Sequence, residues 1–165
     1  MRKPFLLMLI CIPVFGTAQN SDTLLRYFNA NYESDVRENA RYVGKAYEEN
    51  GIWTARVYDN NGVLVMTGHY KERSLKMKHG LFTFYHPNGR TEQTGRFENT
   101  QKTGPWVSFY VDGMIKDSVT YSGNMRNGIA VGWHENGQRR YSGKYINSNA
   151  EGQWVWRSEE RRVGK

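Results

Sequence analysis

The sequence has one cysteine in 165 residues, Cys11, and it lies in an N-terminal apolar stretch. Past that stretch no thiol is left for a disulfide, a nucleophile or a thiolate metal ligand, so stability has to come from packing and hydrogen bonding. Histidine is scarce, with only His69, His79, His86 and His134. His79 and His86 are seven residues apart, roughly 23 Å along an extended strand, whereas zinc ligands sit about 2 Å from one ion. No metal site or cofactor is expected. No Gly-x-Ser-x-Gly elbow is present, and no glycine cluster runs into a lysine and a helix, which removes the signatures of serine hydrolases and P-loop enzymes. The carboxylates of Asp112, Asp117 and Glu135 could in principle pair for glycoside hydrolysis, but Asp112 falls in a turn and Glu135 beside one. No catalytic residue is assigned, and an envelope hydrolase is the weakest reading.

Long apolar runs are missing as well. The longest, Phe5 to Phe15, falls short of the roughly 20 residues that span a bilayer. Arg2 and Lys3 precede it and Gly16-Thr17-Ala18 follow, the pattern of a cleavable secretory signal over residues 1–18, with the mature chain starting at Gln19. Ile10 is not the small residue expected before a lipidated cysteine. The expectation is an exported protein without a membrane span: periplasmic, outer-membrane-associated or secreted. The formal charge is +7; Arg2 with Lys3 carries +2 and the tail 157–165 another +2, leaving +3 without a basic run. That is too little and too scattered for tracking phosphates, and nucleic acid is not an expected partner.

What the sequence has is a period. Glycine recurs at Gly80, Gly104, Gly128 and Gly152, 24 residues apart. On that frame follow Phe82, Trp106, Ala130 and Trp154; then Tyr85, Phe109 and Trp133; then Asn88-Gly89, Asp112-Gly113 and Asn136-Gly137; then Phe97, Tyr121 and Tyr145. An earlier copy, Gly51 to Tyr70, contains Trp53, Tyr58, Asn61-Gly62 and Tyr70, with two extra residues before its turn and a longer exit loop. A fixed period outranks local propensity, and Asn-Gly or Asp-Gly pairs signal β-hairpins with two-residue type I′ turns. With such turns Phe82 faces Gly95, Trp106 faces Val119 and Ala130 faces Gly143, a register in which an aromatic ring can lie over a bare cross-strand glycine. The expected fold is all-β: a single-layer antiparallel meander of hairpins of about 24 residues. The expected division is a lead-in over 19–41, repeats over 42–156 and a non-repeat tail over 157–165 with the look of a non-native read-through. In the lead-in, Ser34 is a candidate N-cap for a short helical turn reaching Glu38.

The aromatic residues are the one functional candidate. A thin sheet must stabilise itself with cross-strand ring pairs, so packing explains most of them. The other reading is an exposed patch covered by a partner, with Tyr85, Trp106, Phe109, Tyr110, Trp133 and Tyr145 as contacts. A protein partner is favoured; a cell-wall glycan or a lipid headgroup is not distinguished from it.

The pattern Gly-x-Trp-x-x-Phe/Tyr-x-x-Asn/Asp-Gly, then Gly-x-Phe/Tyr, resembles the MORN-like repeats of bacterial proteins labelled YwqK-type antitoxins. The resemblance covers Gly51 to Trp156, and Arg26 to Asn50 is similar to the lead-in of envelope repeat proteins that sometimes carry a TonB-type C-terminal domain. Ala130 in place of an aromatic residue and Val119 in place of a glycine depart from the pattern. The resemblance implies a meandering antiparallel sheet with a non-enzymatic binding or scaffold role in the bacterial envelope. Its alternative implication is an antitoxin that neutralises a partner toxin.

Overall fold

The computed structural model describes residues 23–158. The expected signal segment over 1–18 and the tail beyond Ser158 lie outside the described residues. The chain forms one twelve-stranded antiparallel sheet. Two strands come from the lead-in, β1 (Leu24–Phe28) and β2 (Ser34–Asp35). Ten follow in an unbroken meander: β3 (Tyr42–Glu49), β4 (Ile52–Tyr58), β5 (Leu64–Tyr70), β6 (Lys78–Tyr85), β7 (Thr91–Glu98), β8 (Gln101–Phe109), β9 (Ile115–Ser122), β10 (Met125–Trp133), β11 (Arg139–Ile146) and β12 (Asn149–Trp156). The sheet therefore begins before Tyr42. β1 pairs with β3, and β2 lies outside β1 at the edge. Ser34 is a strand residue facing Phe28, not a helix cap, and the only helical turn among the described residues is the 3-10 turn Arg37–Asn39.

The hairpin register is the expected one, but the turns that set it are not. Phe82 faces Gly95, Trp106 faces Val119 and Ala130 faces Gly143. At Asn61-Gly62, Asn88-Gly89, Asp112-Gly113 and Asn136-Gly137, however, only the glycine has positive φ. The Gly89 N–H donates to the His86 carbonyl and the His86 N–H to the Arg90 carbonyl, giving a four-residue turn closed by a glycine bulge. Such a three-residue loop shifts the register by one position. A second bulge, at Glu92 opposite Phe84 and Tyr85, shifts it back. The same pair of compensating irregularities recurs at 59–66, 110–117 and 134–141.

Two-residue turns with both central residues at positive φ do occur, at the opposite end of the sheet: Asn50-Gly51, Asn99-Thr100, Gly123-Asn124 and Asn147-Ser148. Three of these are clipped to a strand 22 residues earlier. Thr100 donates its N–H to the Lys78 carbonyl at 2.8 Å and accepts the Lys78 N–H on Oγ1 at 3.2 Å. Asn124 does the same with Lys102, and Ser148 with Arg126. Residues without a glycine's freedom hold left-handed geometry there because a neighbouring strand satisfies them. The period-marking glycines, Gly80, Gly104, Gly128 and Gly152, are not turn residues; they sit at positive φ where the pairing with the preceding strand shifts register.

One face of the sheet carries the rings. They cover glycines: Phe82 and Trp106 lean over the strand that precedes their own hairpin, while Tyr141 covers a glycine of its hairpin partner. Phe82 lies over Gly68, Trp106 over Gly95, Tyr141 over Gly132 and Trp154 over Gly143. This face is not left as a bare layer. Tyr32, from the β1–β2 loop, stacks on Tyr42 of β3 at 4.7 Å and reaches Phe84 of β6 at 5.3 Å. Leu75, in the connection after β5, is buried in the same cluster with Phe28, Met66, Tyr70, Phe82, Phe97 and Trp106. The long exit loop and the lead-in thus supply the cover that a thin sheet lacks.

Candidate binding surface

The ring face begins as a continuous ladder. Tyr70, Phe82, Phe97, Trp106 and Tyr121 meet edge to face in succession, with centroid separations of 5.2, 4.8, 5.0 and 6.4 Å. These geometries favour the ring quadrupoles in addition to the apolar area they bury. The ladder stops where Ala130 replaces a ring. It resumes as a second group, Tyr141, Tyr145, Trp154 and Trp156, with Trp154 and Trp156 nearly parallel at 5.9 Å. Trp106 is 1% exposed and Trp156 67%; the first group packs as core, whereas in the second Tyr141, Tyr145 and Trp154 are half-buried and Trp156 alone is exposed.

A row of cations edges this face. Lys78, Lys102 and Arg126, each 24 residues apart, sit over Phe97 at 5.3 Å, Trp106 at 4.1 Å and Tyr145 at 4.3 Å. Contact with a ring face holds an ammonium or guanidinium by the quadrupole. Burial pulls the Lys78 ammonium below the usual lysine range, with Glu33 partly opposing it. Burial, then repulsion from Lys78, does the same to Lys102. Burial pushes the phenols of Tyr32, Tyr70, Tyr121 and Tyr141 upward. For Tyr141 the nearby Asp117 carboxylate adds to the shift.

The structure separates the six sequence-nominated rings. Trp106 and Tyr145 are on the ring face, Trp106 buried and Tyr145 half-buried under Arg126, whose Nη1 donates to its hydroxyl at 3.1 Å. Tyr85 faces the other side, its hydroxyl 3.2 Å from Thr67 Oγ1. Phe109 and Trp133 end their strands at the bulged turns. Tyr110 is tied to Trp133, donating its hydroxyl to that residue's carbonyl at 2.7 Å. The histidines at the same repeat position do likewise: His86 Nε2 donates to the Phe109 carbonyl at 3.0 Å and His134 Nε2 to the Arg157 carbonyl at 2.8 Å. Each links one hairpin to the next, 23 residues on. Arg157 therefore still belongs to the repeat's hydrogen bonding, although the sequence pattern ends before it.

Two stretches of the chain, residues 54–72 and 78–99, match the family model described as MORN repeat variant. The matched stretches are the β4–β5 and β6–β7 hairpins. The same turn, bulge and clip geometry runs on through β8–β9 and β10–β11, beyond the match. No curated protein matches the chain. The match supports a repeat-based binding module. Among the described residues no helix is long and apolar enough to cross a membrane.

Residues that sequence reading passed over also build this surface. The cation row was visible as Lys78, Lys102 and Arg126 on the 24-residue frame, but only the coordinates put those charges over rings.

Proposed function

We propose that this protein is a non-enzymatic binding or scaffold module of the bacterial envelope, exported by its N-terminal segment and contacting a protein partner through the unburied end of its ring face. The reading is carried by one observation: the aromatic ladder is packed as core up to Trp106, and beyond Ala130 it resumes as half-buried rings that end on the exposed Trp156. Rings of this kind, with arginines beside them, have the composition of interface hot spots. Tyr145 belongs to that end, while Trp133, Tyr110 and Phe109 lie along the bulged-turn margin, and Tyr85 would serve a partner on the opposite face. Export is supported by the charge, apolar run and small residues of segment 1–18.

The test is capture. Tagged protein should retain one or more partners from solubilised envelope, and Tyr145→Ala with Trp156→Ala should abolish retention while the thermal midpoint stays within a few degrees. Unchanged capture removes these rings from the contact. Recovery from the periplasm of a chain starting at Gln19 checks the export half; retention in the cytoplasm with rescue from a co-expressed neighbouring toxin would turn the reading to the antitoxin alternative.

A further inference from the structure

One row on the ring face is polar where the neighbouring rows are apolar. Gln93 of β7, Ser108 of β8 and Asp117 of β9 lie side by side in register. Gln93 Nε2 donates to Ser108 Oγ at 3.2 Å, and the Ser108 hydroxyl donates to Asp117 Oδ1 at 3.1 Å. Along the same face the row is continued by Phe84 and Met66 on one side and by Gly132 and Tyr141 on the other. Packing does not call for an amide, a hydroxyl and a carboxylate here, since half-burying polar groups in an apolar face is costly unless they stay bonded. Each end of the row keeps capacity to bond further: the Gln93 carbonyl oxygen and second N–H, and the Asp117 Oδ2.

Gln93 and Ser108 line a cavity of about 380 Å³, towards the small end of the roughly 300–1,000 Å³ typical of small-ligand sites. Tyr32 and Phe84 form an aromatic wall, and Glu92 and Lys116 stand at the rim. These two charged residues are the extra residues of successive bulges, 24 residues apart, which is why both project at this margin. An adjoining open groove of about 680 Å³ shares His86, Phe109 and Lys116 with it. Along the two joined grooves Glu92, Asp112 and Glu135 stand against Arg90 and Lys116, one negative charge in excess, which disfavours phosphates and carboxylates. Ring faces beside mixed donors and acceptors suit a neutral polyhydroxylated ligand. The volume of the joined grooves suits more than one ring of it.

We propose that this groove is a carbohydrate site for a neutral oligosaccharide, with a pyranose face laid on Phe84 and Tyr32 and its hydroxyls bonded by Gln93, Ser108, Glu92 and Lys116. The proposal deepens the binding-module reading by assigning that module a glycan in addition to any protein partner.

The experiment is calorimetric titration of the full chain with cellotetraose and with the tetramer of N-acetylglucosamine, and separately with a lysine-containing tripeptide amide. At least one sugar should bind. Gln93→Ala and Tyr32→Ala should each weaken it by about tenfold, as loss of a hydrogen-bonding partner or a stacking wall does. Thr83→Val, on the opposite face, should leave binding unchanged. Neither sugar binding at millimolar concentration, equal binding by Gln93→Ala and Tyr32→Ala proteins of native circular dichroism, or binding of the peptide alone would overturn it. Failure here with envelope capture intact overturns the sugar site and not the module.

Discussion

Val119 and Ala130 occupy, one step along the repeat, the positions of Gly95 and Trp106, and again of Gly143 and Trp154. Elsewhere a ring fills the space above a bare glycine; here Val119 fills it and Ala130, fully buried, faces it in register. The two departures are one exchange of volume. Val119→Gly alone should leave a cavity and Ala130→Trp alone should overpack, each costing about 1–3 kcal/mol. Together they should recover much of the loss, so urea unfolding of the four proteins should give a favourable coupling of about 1 kcal/mol or more. Additive losses would refute the exchange. Glycine itself does two different jobs. A Cβ at Gly95 would run into the Trp106 indole, whereas Gly104, at φ +65°, has open space around it and is needed only for its backbone. Gly104→Ala should cost about 1–2 kcal/mol, and Gly95→Ala should cost more and shift the near-ultraviolet signal of Trp106. The 24-residue spacing showed both classes of glycine, but spacing cannot tell a steric need from a torsional one.

Each hairpin is fastened to its neighbours at both ends by the same two devices. At the bulged-turn end, the residue six after the period glycine, His86, Tyr110 or His134, donates to a carbonyl of the next hairpin. At the other end, Thr100, Asn124 and Ser148 clip back on Lys78, Lys102 and Arg126. Tyr110→Phe removes one link and leaves the ring, so it should cost about 1 kcal/mol in chemical denaturation. No change in stability would mean that water replaces the bond without loss. The hairpins were legible in sequence because Asn-Gly and Asp-Gly pairs fall on a period. Their turn type was not. A glycine bulge plus a compensating bulge at Glu92 gives the same facing residues as a two-residue turn, so the register predicted from the wrong turn came out right. The true two-residue turns, such as Asn99-Thr100, hold positive φ through tertiary clips that no dipeptide reveals. Of the candidate rings, the sequence named the right residue types; full burial of Trp106 and only partial burial of Tyr145 depended on which neighbours cover them.

Across the molecule, burial is graded. The core cluster draws on β1 and β3 to β8, while β11 and β12 contribute none of its fully buried residues. Amide hydrogen exchange should therefore be slowest in β4 to β8 and fastest in β11 and β12; uniform protection would mean the sheet opens only as a whole. Alkaline pH gives a second global readout. Burial raises the phenols of Tyr32, Tyr70, Tyr121 and Tyr141, so above about pH 10 the unfolded chain releases protons that the folded chain keeps. Stability is then lost as pH rises. The lowered ammoniums of Lys78 and Lys102 act the other way between their folded values and the ordinary lysine value, but they are two against four. The Tyr70 hydroxyl is buried with no hydrogen-bond partner among the described residues. Tyr70→Phe should flatten the alkaline loss and gain about 1 kcal/mol at neutral pH, measured by urea midpoints; a loss at neutral pH would show that the hydroxyl is bonded. The sequence alone determined the hairpin order, the facing pairs and the ring-bearing strands, because those follow from a period and from local turn residues. Only the tertiary structure decided that the sheet starts at Leu24, that Tyr32 and Leu75 cover the first half of the ring face, and that the face ends on an exposed Trp156. Those outcomes depend on which distant segment lies across the sheet, and contacts between segments of unequal spacing leave no periodic trace.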